Sequence, residues 1–240
     1  MYAELTRAPE FNTTIAWADL DPAGFDGLLL PGGHAPGMRQ YLGSAVLRAQ
    51  AARFWATGLP VAAICHGVLV LARTDSGTGR SVLYDRQTTC LPKYMERTAY
   101  LTTAWRLGKY YRTYPAYVED KVKAALRDPA AQFKRGPVNL SSRGTAADDA
   151  AAFVINDGRY LSARWPGDAY LFARSFCDLL DPDAPTSELS RPVPASLEIS
   201  SSAPRTRVAG RPWLAGTSLW FQSAGSAAAE PEGSGVDGPD

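Results

Sequence analysis

Two short apolar runs, each closing on glycine and polar residues, set the pattern of this chain. The first, Phe25-Asp26-Gly27-Leu28-Leu29-Leu30, stops at Pro31-Gly32-Gly33-His34. The second, Val61-Ala62-Ala63-Ile64, stops at Cys65-His66-Gly67 and gives way at once to Val68-Leu69-Val70-Leu71. Short continuous apolar runs bounded by turn residues predict buried strands, and an apolar stretch that resumes directly after a turn predicts a helix. Around them the pattern alternates. Residues 44–57 are Ala-rich, with Val46, Leu47 and Phe54 at helical spacing. Residues 60–64 read as a strand and 68–72 as the start of a helix. Gly77 and Gly79 mark a turn. Residues 81–89 are expected to hold one or two strands. Residues 92–105 are a helix with Pro92 in its first turn, and 118–126 a short helix. Residues 153–155 and 160–163 predict a hairpin across Asp157-Gly158. Residues 168–180 predict a closing helix that places Leu171, Phe172, Phe176, Leu179 and Leu180 on one face. Strands alternating with helices predict an α/β fold, a mainly parallel sheet covered on both sides.

The junction at Cys65 carries the candidate chemistry. A strand that ends on a thiol and turns straight into a helix forms a nucleophile elbow. The partial positive charge of the helix N-terminus favours a thiolate, so the Cys65 pKa is expected below the ordinary value of about 8.5. The competing reading is that Cys65 fills a core. Gly67 tolerates the crowding of a tight turn. In a parallel sheet the loops after residues 30 and 64 lie at the carboxyl ends of the strands, where open α/β folds place their sites.

Composition narrows the class without choosing a function. The 240 residues carry a net charge of +1, with 45% hydrophobic and 20% charged residues, as in ordinary globular domains. This charge gives no electrostatic footprint for nucleic acid. The three cysteines, Cys65, Cys90 and Cys177, are odd in number and widely spaced, which points to a reducing compartment, by default the cytoplasm. No apolar run approaches membrane-spanning length and no signal-peptide pattern opens the chain, so no membrane partner is expected. No metal is expected, because two histidines and three scattered cysteines show no ligand spacing. Neither a phosphate loop nor a dinucleotide fingerprint is present, and no cofactor is implied.

The segment Asp26-Gly27-Leu28-Leu29-Leu30-Pro31-Gly32-Gly33-His34, paired with Ala63-Ile64-Cys65-His66-Gly67, resembles the ThiJ/PfpI superfamily, which shares the class I glutamine amidotransferase-like fold. Residues 157–168, Asp-Gly-Arg-Tyr-Leu-Ser-Ala-Arg-Trp-Pro-Gly-Asp, resemble the family's last strand leading through a proline turn into its final helix. The resemblance covers about residues 8–182. It implies a three-layer, flavodoxin-like sheet with Cys65 as nucleophile and His66 as its partner. It also implies an acidic residue on the helix after the next strand; Glu96 is our choice, Asp85 the alternative, and a surface ion pair with Lys93 or Arg97 the competing reading of Glu96. Backbone N–H groups of Gly33 and His66 would hold an oxyanion. Gly32 and His34 would line the same site, His34 touching substrate or capping the pocket at its mouth; a tight turn at Gly32-Gly33 and an exposed loop histidine at His34 are the competing readings, the latter preferred. Trp165 and Asp168 would line the pocket, with Asp168 favoured as a helix N-cap.

The resemblance implies a cysteine-dependent enzyme of the glyoxalase III or deglycase type, acting on small reactive aldehydes without glutathione. Alternatives are a cysteine hydrolase or peptidase whose site forms between subunits, a holdase chaperone or redox sensor, and an inactive remnant. A homodimer is a possible assembly. An amidotransferase is excluded, because that triad needs a further late histidine and the chain has only His34 and His66. Roughly two dozen residues precede the first strand, where the family carries a strand, a helix and another strand. The expectation is therefore a shortened domain over residues 1–182 with an exposed sheet edge. Beyond residue 182 Pro, Ser, Ala and Gly dominate, and the end is acidic, which reads as a disordered tail despite Trp213, Trp220 and Phe221.

Overall fold

The structure, a computed structural model, describes residues 2–35, 37–112, 116–139 and 141–181. The tail expected over residues 183–240 lies outside the described residues. The described residues fall into two units, residues 2–14 and residues 15–181. In the first, the helical turns α1 (Tyr2–Leu5) and α2 (Pro9–Asn12) are tied by Asn12, whose amide donates to the carbonyls of Thr6 and Ala8 at 2.9 Å each.

The second unit is built on four strands: β1 (Leu28–Leu30), β2 (Val61–Ile64), β3 (Val154–Asp157) and β4 (Tyr160–Ala163). Their order is β1-β2-β4-β3; β1, β2 and β4 run parallel, and β3 joins antiparallel to β4. The fold is thus a mixed, mostly parallel α/β sheet, as its strand–helix alternation predicts. Successive side chains on a strand point to opposite faces, so β2 serves two cores. Val61 and Ala63 join Leu30 and Tyr160 in the larger one, under α4 (Ala45–Ala56), α5 (Val68–Ala72) and α7 (Val118–Ala124). Ala62 joins Leu161 and Ala163 against Phe172, Phe176 and Leu179 of α9 (Ala169–Leu180). The apolar face foreseen for the closing helix is the face that seals this second core. β1 is the edge of the described sheet, and Leu29 at its centre is 42% exposed.

Polar residues fix the helix starts. Ser44 caps α4, its hydroxyl accepting the Leu47 N–H at 3.0 Å. A less common arrangement joins α6 (Lys93–Leu107) to α7. The Glu119 carboxylate of α7 accepts the Lys93 N–H at 2.8 Å, and the Glu96 carboxylate of α6 accepts the Val118 N–H at 3.2 Å. Each helix therefore caps the other with a buried carboxylate. Lys123 and Arg135 also donate to Glu119. These hydrogen bonds outweigh the burial that would raise its pKa and hold Glu119 down at about 2.

Several expectations are corrected. Residues 81–89 form no strand. Their backbone is spent in turns, with Tyr84 N–H on Ser81 and Arg86 N–H on Leu83, and two isolated bridges, Asp75 to Ser81 and Thr88 to Phe133, are the β pairing they make. The hairpin turns at Gly158-Arg159, because Asp157 still pairs with Tyr160; Gly158 takes the positive φ of +66°. Pro92 is the residue before α6 instead of part of its first turn.

Candidate active site

The site is assembled where β2 ends. Cys65 has φ +60°, the one positive φ at a non-glycine among the described residues. A backbone held there is strained for an L-residue and marks a position fixed by its surroundings. A short 3-10 turn, Cys65–Gly67, then leads into α5. The turn is locked against the loop after β1. A Cβ on Gly32 would lie 2.7 Å from the Cys65 Cβ, the His66 nitrogen and the Ile64 carbonyl oxygen. A Cβ on Gly67 would lie 2.2 Å from the Leu30 oxygen and 2.6 Å from the Pro31 oxygen. Both glycines are therefore needed for two backbones to touch. Gly33 lies beside the Met38 side chain of α3 (Met38–Gly43).

Cys65 is only 5% exposed, and it packs with Leu91, Met95, Ile64, Tyr94 and Trp165. Its Sγ stands 3.4 Å from Nδ1 of His66, a fully buried side chain. His34 presents its ring to that of His66 at 4.6 Å, and Tyr111 meets His34 at 4.8 Å, both edge to face. His34 is thus half-buried within the site, not the exposed loop residue expected. Tyr111 carries no periodic signal and follows a helix end, so only the folded chain brings it here.

The two carboxylates proposed as acid partner separate clearly. Asp85 is exposed and paired with Arg127. Glu96 is 1% exposed, and its charge acts on Cys65. It is no surface ion pair: one oxygen caps α7, while Oε1 is buried without a hydrogen-bond partner among the described residues. No hydrogen bond joins it to His66, whose Nε2 is likewise unpartnered there. Trp165 lies beside Cys65, with its ring pressed on Gly167.

Asp168 is corrected twice: it neither caps α9 nor offers a free group to a pocket. Its two oxygens accept from Arg164 Nη2 at 2.8 Å, Arg164 Nε and N–H at 3.0 Å each, and the Phe153 N–H at 3.0 Å. This fully buried pair fastens the end of β4 to the segment before β3.

The electrostatics also reverse an expectation. Burial pushes the Cys65 thiol up to about 12, helped by the charges of Glu96 and Asp168 and opposed by the His66 N–H. Burial, with His34 adding to it, pulls His66 down to about 3, and burial pulls His34 down to about 4. The helix expected to stabilise a thiolate has five residues, and its dipole does not offset the lost hydration. The resting pair is a thiol beside a neutral imidazole. Such a pair forms its nucleophile when the base takes the proton during attack.

Residues 1–137 match the family described as ThiJ/PfpI family-like. The chain belongs to this family. Its relatives include a deglycase of Pyrococcus abyssi, 28% identical over 169 residues that make up 70% of each chain. Among solved structures, the 24 kDa Rapid Encystment Protein of Francisella tularensis superposes with a TM-score of 0.57 at 18% identity, over 75% of this chain and 70% of that one. Glyoxalase III of Candida albicans does so at 0.51 and 19%, over 69% and 61%. These two likenesses concern the fold. No described helix is long and apolar enough to cross a membrane.

Burial raises Glu96 to about 7, against the Val118 N–H and the nearby charge of Arg112, which lower it. The sign for stability follows. The protonated carboxyl contributes stability that is fully present below the unfolded value near 4.3 and is lost as pH rises through about 7. Glu96→Gln keeps an oxygen for the Val118 N–H and removes the titration. Urea unfolding at pH 5 and pH 8 is expected to show the wild type losing about 2–3 kcal/mol relative to the variant over that interval. Parallel behaviour of the two proteins would show that Glu96 titrates normally.

Proposed function

We propose that this ThiJ/PfpI-family chain is a cysteine-dependent enzyme acting on small reactive aldehydes, of the glutathione-independent glyoxalase or deglycase type. The observation that carries this reading is the strained Cys65 at the strand end with the His66 imidazole 3.4 Å from its sulfur. The deglycase relative and the glyoxalase III fold neighbour support the choice of substrate class.

With methylglyoxal, Sγ of Cys65 adds to the aldehyde carbon while its proton passes to Nδ1 of His66 and from there to the aldehyde oxygen, giving a neutral hemithioacetal and a free imidazole. Backbone N–H groups of Gly33 and His66 hold the developing oxyanion. His66 removes the hydrogen from the former aldehyde carbon and returns a proton to the adjacent carbon, leaving a thioester of lactate. Water cleaves the thioester, releasing lactate and the free thiol. Nε2 of His66 and Oε1 of Glu96, buried and without a hydrogen-bond partner among the described residues, are polar atoms available to a substrate hydroxyl. Trp165, Met95 and Tyr94 provide apolar cover that excludes water.

Product analysis tests the reading. Incubation with methylglyoxal without glutathione is expected to yield lactate. Consumption of methylglyoxal without lactate, or no consumption, contradicts it.

A further inference from the structure

The second half of α6 leaves the body of the fold with an unusual surface. Leu101 is 62% and Trp105 83% exposed, one helical turn apart on the same face. The Trp105 indole N–H donates to the Thr102 carbonyl at 3.1 Å, so its one polar atom is already satisfied and the ring offers apolar surface outward. Arg97, one turn before Leu101, and Arg106 and Lys109 beside and beyond Trp105 are all exposed, and none of the three has an ion-pair partner among the described residues. From Arg97 to Tyr117 the sequence contains no carboxylate. The nearest ones are occupied: Glu96 is buried and caps α7, Glu119 pairs with Lys123 and Arg135, and Asp120 pairs with Lys93 at the far end of the helix.

From this juxtaposition we propose that the exposed Leu101-Trp105 face of α6 docks on an anionic lipid surface, with Arg97, Arg106 and Lys109 on the headgroups. Tryptophan and leucine flanked by arginine and lysine are the composition of helices that lie in the membrane interface, and the cations add attraction to acidic headgroups. A second copy of the chain fits poorly, because a two-fold contact through this face would set its cations against their own images. Nucleic acid would use the ring and the cations but gains little from an exposed leucine. The expectation of no membrane partner weighed spanning length and a signal peptide; surface docking requires neither.

Sedimentation of the full chain with phosphatidylcholine vesicles, with and without about one-third phosphatidylserine, tests the proposal. The expected result is at least tenfold stronger partition onto the serine-containing vesicles, weakening as salt rises, and at least a tenfold loss in the variant L101S/W105S. Both positions are exposed, so the variant should melt with the wild type, and a melt confirms that its loss is one of surface. Equal partition of variant and wild type, or absence of binding to acidic vesicles at low salt, overturns the proposal. So does a single-stranded oligonucleotide that binds this face when the vesicles do not.

Discussion

Gly67→Ala is expected to destabilise the fold by about 3–5 kcal/mol, at the upper end for a single substitution. The added carbon would lie 2.2 Å from the Leu30 oxygen and 2.6 Å from the Pro31 oxygen. These are main-chain atoms of β1 and the loop after it, so no rotamer relieves the overlap. Either the elbow turn retreats from β1 or β1 leaves the sheet. β1 is an edge strand of three residues, held in the described sheet by β2 alone, so it is the element that gives way. Gly43→Ala is the control. It lies at the end of α3 with nothing within 4 Å of its added carbon, and alanine there is expected to be neutral or to stabilise by about 0.5 kcal/mol. Urea unfolding of the two variants checks the contrast. Similar midpoints would mean that the elbow and the β1 loop do not touch as described.

The second large effect concerns the base. His66→Gln is expected to lower methylglyoxal turnover by about 10²–10⁴, the usual contribution of a positioned proton-transfer group. The loss should be large because Nδ1 of His66, 3.4 Å from Sγ, is the group placed to take the proton of a thiol that burial keeps protonated. Were Cys65 a preformed thiolate, His66 would matter much less to the attack step. Steady-state rates with circular dichroism as a fold check decide it; a loss below about tenfold contradicts proton transfer by His66.

Much of this was legible in the residue order. The run Val61 to Ile64 closing on Cys65 and reopening as Val68 to Ala72 is a local signal, and so is the apolar face of α9; both depend on periodicity and turn residues that lie close together in the chain. The pairing of loops at Gly32 and Gly67 followed from the parallel sheet. What escaped depends on distant partners. Nothing near residues 81–89 shows that Gln132 and Lys134 will take up the backbone of Thr88. The exchange of caps between Glu96 and Glu119 joins helices whose starts are more than twenty residues apart, and it gives Glu96 a buried capping role in place of the surface ion pair. The Cys65 pKa went the other way because the helix dipole is a local property, whereas burial under Leu91, Met95 and Trp165 is a global one.

The most direct measurement is glutathione-free conversion of methylglyoxal to lactate by the full chain, compared side by side with Cys65→Ala. The variant removes the sulfur and leaves His66, the β1 loop and the apolar cover in place. Turnover by the wild type with a loss of about 10³-fold or more in a variant that still folds is the expected result. Equal turnover by both proteins would contradict Cys65 as the nucleophile.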